Sequence, residues 1–150
     1  MRLDTSPTAT LPPVEDLRAA LVDLAVEVER VAGRLRSLSQ ARLTAPVPGH
    51  ASRAEAARST AQALADAAAV LEAKPEPAAD VDATAGASQT APRPRVLPTL
   101  TEFAAGDQVA VTGHDLIAAL AAVPDGEVEP DIGKLARHAL EELRTLRRLL

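Results

Sequence analysis

The side chains able to do chemistry are few and far apart in this sequence. Histidines occur only at His50, His114 and His138, and there is no cysteine in the 150 residues. Without thiolates the chain has no disulfide, no cysteine nucleophile and no sulfur-ligated zinc. His138 precedes Glu141 and Glu142 by three and four positions, so on a helix the three share one face and could contribute to a metal site. One helix face supplies only part of a coordination shell and no second cluster of this kind follows. The plainer reading is a solvated helix surface, and no metal or cofactor is expected.

His114 and Asp115 form the other pair of interest, at what reads as the junction of a strand and a helix, a place where catalytic groups sit. Helix capping accounts for Asp115 and exposure accounts for His114. Ser52 and Thr112 likewise read as caps. Gly113 stands alone, whereas a phosphate-binding loop needs several glycines and usually a lysine. The expectation is a chain that is not an enzyme, with His114 and Asp115 left as the centre of a minority alternative.

The elements that must position these residues read as mainly α. Val14, Leu17, Leu21, Leu24, Val28, Val31, Leu35 and Leu38 recur with alternating steps of three and four, so eight successive a and d positions of a heptad are aliphatic. They predict a helix over residues 14–43, about 45 Å long. Ser52 with Glu55 has the form of a capping box and opens a second helix with an apolar seam of Ala54, Ala57, Ala61, Leu64, Ala68 and Leu71. Two such helices predict an antiparallel helical hairpin or coiled coil over 14–73, preceded by a disordered lead at 1–13. Residues 74–98 hold prolines at 75, 77, 92, 94 and 98 and read as a disordered Pro/Ala-rich linker. Residues 99–150 read as a small C-terminal module. It has one short strand or hairpin at 108–112, a helix capped by Thr112, a turn at Pro124, Asp125 and Gly126, and a final helix entered at Pro130. The phrase at 106–116 looks motif-like, yet no family resemblance is drawn from it.

Composition narrows the function further. Leu, Ile, Val and Phe make 36 residues, or 24% of the chain, while 33 residues are Ala and Phe103 is the single aromatic. A large enzyme-like core does not fit such a chain. Arg outnumbers Lys 14 to 2, a mark of GC-rich codons rather than of function. No run approaches the roughly 20 apolar residues of a membrane span, and the start lacks a signal-like apolar stretch, so a cytoplasmic location and no membrane partner are expected.

The eight aliphatic positions of the first helix outrun what a shorter, Ala-rich partner can cover. They are therefore expected to form an interface with a second copy or another helical protein, most simply as a homodimer. Acidic Glu15, Asp16, Asp23, Glu27 and Glu29 lead and Arg30, Arg34, Arg36 and Arg42 follow, which favours antiparallel pairing. The expected function is that of a non-enzymatic interaction or adaptor protein. The alternative is a DNA-binding or accessory transcriptional regulator using Arg137, Arg144, Arg147 and Arg148 on the C-terminal helices. Against it, residues 99–150 hold five basic and nine acidic residues, and the helix connection is longer than a helix-turn-helix allows.

Overall fold

The computed structural model describes residues 13–73, 95–125 and 129–150. They form α1 (Pro13–Arg36), α2 (Gln40–Thr44), α3 (Arg53–Glu72), α4 (Ala105–Ala121) and α5 (Pro130–Leu149), with a 3₁₀ turn at Glu102–Ala104 and no strand among the described residues. The mainly α expectation is met. The lead over 1–12, the linker over 74–94 and Gly126 of the predicted turn lie outside the described residues.

The first helix ends earlier than its heptads suggest. Ser37 turns its hydroxyl onto the Arg34 carbonyl at 2.7 Å, and its own N–H is shared between Gly33 and Arg34. Serine side chains compete in this way with helical hydrogen bonds. The chain then restarts at Ser39 as the short α2, which buries Leu43. Val47 and His50 pair across a tight turn in which Pro48 and Gly49 occupy the central positions. Gly49 has φ +82°, the left-handed value that a type II turn asks of its third residue. Ser52 then caps α3 by accepting from the Glu55 N–H at 3.0 Å, and the Glu55 carboxylate answers on the Ala51 N–H. That is the expected capping box, displaced by one residue on its return bond.

The stretch expected as a strand, 108–112, lies inside α4. Its alternation was misleading because Ala105, Val109, Thr112, Leu116 and Leu120 also recur at three and four, and these are the residues α4 buries. Val111, which the alternation would have placed beside Val109, is 60% exposed on the outer side. Thr112 caps nothing, since its hydroxyl donates back to the Gln108 carbonyl at 2.8 Å within the helix. Pro130 opens α5 as expected, and Ile132, Ala136, Ala139, Leu143 and Leu146 are buried along it.

The expected direct pairing of the first two long helices is not formed. α4 and α5 each pack against both α1 and α3, which leaves α1 and α3 on one diagonal of a four-helix square and α4 and α5 on the other. Ion pairs fix the directions. Arg36 with Asp107, Glu29 with His114 and Arg18 with Asp125 make α4 antiparallel to α1. Asp16 with Arg137, Asp23 with Arg144 and Glu27 with Arg147 make α5 parallel to it. α3 begins where α5 ends, Arg53 Nε donating to the Leu149 carbonyl at 2.9 Å, so the long helices run up, down, down, up.

Such an order requires a crossover from the end of α3 to the start of α4. Its last residues are described and docked. Gln62 donates to the Arg95 carbonyl at 2.6 Å and accepts from the Leu97 N–H at 2.9 Å, and Gln108 donates to the Pro98 carbonyl at 2.8 Å. Arg95, Leu97 and Pro98 of the expected linker are therefore docked on α3 and α4. Leu24, Val28, Val31, Leu35, Leu64, Leu116, Leu120 and Leu143 meet in one core, so the segments 14–73 and 99–150 interleave. α3 contributes mainly alanines to it, which lets α4 and α5 lie close.

Candidate functional site

The residues expected to face a partner are laid along α1, with Leu38 in the turn after it, and the chain's own helices cover most of them. Leu17, Leu24, Val28, Val31, Leu35 and Leu38 are buried, and Leu21 packs half-buried against the same core. Val14 and Leu21 remain partly open. They line, with Leu17, Leu120 and Val123, a cleft of about 250 Å³ at the amino end of α1, flanked by Arg18 and Asp125. The two charged groups join at 3.1 Å beside it. Too few polar groups converge there for acid-base work on a bound molecule.

The charges of α1 also find partners within the chain. The acidic half expected to meet arginines of a second copy meets the arginines of α5: Arg147 Nε lies 2.7 Å from Glu27 Oε1, Arg144 lies 4.0 Å from Asp23, and Arg137 bonds Asp16. In the basic half, Arg36 Nε donates to Asp107 at 2.8 Å and Arg42 reaches the Leu150 carbonyl oxygen at 3.4 Å. Glu27 is the unusual member, a carboxylate with only 5% of its side chain exposed. An isolated buried carboxylate is costly, and two guanidiniums offset that here, Arg147 and, at 3.8 Å, Arg30.

The histidines are not brought together. His50 sits in the α2–α3 turn. His114 Nε2 lies 3.1 Å from Glu29 Oε1 in a pair more than half exposed, and Asp115 is exposed on α4. His138 lies 4.0 Å from Glu142, while Glu141 turns to Arg144 at 2.9 Å. Among the described residues no three His, Asp or Glu side chains converge as metal ligands, and no helix is long and apolar enough to cross a membrane.

Sequence reading passed over two features. Val22 and Val26, one turn apart, are 65% and 45% exposed on the side of α1 away from the core. Ala19, Val22 and Val26 are spaced three and four, out of phase with the first stripe, before Glu29 and Arg30 break the run. The second feature is Gly113, expected in the cap at a strand-to-helix junction, which instead lies inside α4 and lets it sit directly on Val28. Comparison with family models, with curated proteins and with solved structures returns no match for this chain.

Proposed function

We propose that this chain is a non-enzymatic helical interaction protein that self-associates through the outer face of α1. The observation that carries the reading is the exposure of Val22 and Val26 on a helix whose opposite side is already committed to the core. A surface helix of a self-sufficient bundle ordinarily keeps that side polar. α1 is thus apolar on two sides, and the expected partner surface moves from the inner stripe to the outer one.

Antiparallel apposition of two α1 helices centred between Val22 and Val26 sets Arg18 of one copy opposite Glu29 of the other on the same flank. Opposite charges there favour this orientation. α1 is about 36 Å long, so a strip about 10 Å wide gives on the order of 400 Å² per copy. That is roughly half of what a stable complex buries, and the association is therefore concentration-dependent rather than permanent. A helix of another protein with the same small apolar stripe would fit the same face.

The nucleic-acid alternative is less favoured by the geometry. A helix-turn-helix packs its two helices on each other, whereas α4 and α5 lie on a diagonal. Arg137, Arg144 and Arg147 are engaged with carboxylates of the chain itself. Light scattering across a concentration series, with the protein and with a Val22→Asp, Val26→Asp variant, tests the proposal. The mass of the protein should rise toward twice the chain mass while the variant stays single with an unchanged helical spectrum. A protein that remains single at every concentration, or a variant that associates equally, would sink the reading.

A further inference from the structure

We propose that the end of the bundle where α5 stops is a docking site for an acidic polypeptide segment, presented as a helix with carboxylates one turn apart. It begins from the buried Glu27. That carboxylate holds Arg147 at 2.7 Å and Arg30 at 3.8 Å, while their side chains stay 47% and 61% exposed. One hidden anion thus attracts two guanidiniums whose side chains remain about half exposed. Arg34 lies one turn beyond Arg30, and Arg148 follows Arg147. Neither makes an ion pair among the described residues, and both are exposed. Arg148 is steadied by Thr145 Oγ1 at 2.8 Å. Two cations therefore contact one carboxylate that is itself out of solvent, and two exposed arginines extend the patch along α1 and α5.

The boundary of the patch is equally defined. Below it, Arg144 is occupied by Glu141 and Asp23 and offers little to a partner. α1 and α5 are parallel with Glu27 level with Arg147, so the four guanidiniums spread over roughly 10 Å along the axis. Carboxylates three or four apart on a helix are about 5 to 6 Å apart, so two turns of an acidic helix span that distance. Guanidiniums bind carboxylates through paired hydrogen bonds, which such spacing permits.

A nucleic acid matches less well. About 10 Å covers roughly three phosphates of one strand, fewer than the six to ten neutralised by a typical duplex-binding protein.

Fluorescence anisotropy of the full chain at low ionic strength tests the site with a labelled Glu-rich helical peptide whose glutamates are three and four apart. A labelled single-stranded DNA of equal charge is the comparison probe. The peptide should bind, lose affinity as salt is added, and bind an Arg34→Glu, Arg148→Glu variant about tenfold or more weaker. The neutral Arg34→Gln, Arg148→Gln variant should fall between. These arginines make no ion pair among the described residues, so the variants should keep the parent's helical spectrum and thermal midpoint. They should also keep its association in light scattering, which separates this site from the Val22 and Val26 face. No peptide binding, equal binding by the charge-reversed variant, or tighter binding of the DNA would each overturn the proposal.

Discussion

Against α4, helix α1 is met by glycine; against α5, it is met by arginine. On the α4 side, Gly113 lies so close that an added Cβ would stand 2.5 Å from Val28 Cγ2, and Gly106 would place one 3.0 Å from the Ala32 carbonyl oxygen. On the α5 side, Gly133 leaves ordinary space near Asp16 and Arg137, and the contact is stitched by the Asp16, Asp23 and Glu27 pairs. The first interface carries exposed ion pairs too, Arg36 with Asp107 and Glu29 with His114, but its spacing is specified by shape, which is intolerant of added volume. The second is specified by charge, which fixes register and direction but contributes little where it is exposed. One helix is thereby held at a set distance by one neighbour and in a set register by the other.

The sharpest way to break this contrast is Gly113→Leu. The side chain has no room beside Val28, and overpacking should lower stability by about 3 kcal/mol, read as a drop in the urea midpoint. Combining it with Val28→Ala should restore part of the loss. Full additivity of the two variants would mean that Val28 is not what Gly113 accommodates.

On the α5 side the largest effect belongs to the buried member. Arg147→Ala leaves Glu27 with Arg30 alone at 3.8 Å and should cost about 2 kcal/mol, with Arg147→Lys recovering part of it. A loss no greater than that of an exposed pair would show that Glu27 is solvated in solution.

The difference between the two sides also explains what could be read in advance. Hydrophobic spacing marks which residues of α1 turn inward, and Leu24, Val28, Val31 and Leu35 do so. It does not say which helix covers them. An Ala-rich α3 seemed the nearest cover because it follows in the chain, yet the leucines that fill the space come from α4 and α5, far along the sequence. Charge order along α1 was equally visible and equally ambiguous, since arginines on α5 complement its acidic half as well as a second copy would. Glycines carry least signal of all. Gly113 stood out only as a lone glycine at an expected strand-to-helix junction, because closeness to another helix is a property of the pair, not of the local sequence. Of the proposed contact face, Val22 and Val26 have the right spacing, but their exposure follows only from knowing that both neighbours of α1 lie on its other sides.

Gly33 provides the smaller test with the opposite sign. It lies inside α1 on the exposed side, and an added Cβ meets nothing within 4 Å. Gly33→Ala should therefore stabilise the chain by about 1 kcal/mol through backbone entropy alone, raising the thermal midpoint. The same substitution at Gly113 should lower it. An Ala at 33 that destabilises would reveal an atom packed there, and the outer face of α1 is where a second copy would supply one.

The exposed end of the charge-specified interface should respond least. Asp16 and Arg137 are 44% and 52% exposed, so Asp16→Ala should change stability by no more than about 0.5 kcal/mol, and that small effect should fade as salt is raised. A loss near that of Arg147→Ala would mean that the α1–α5 pairs act as one network rather than as a single buried anchor with a screened fringe. In that event a double variant of Asp16 and Arg147 should cost measurably more or less than the two losses combined, because groups of one network do not contribute independently.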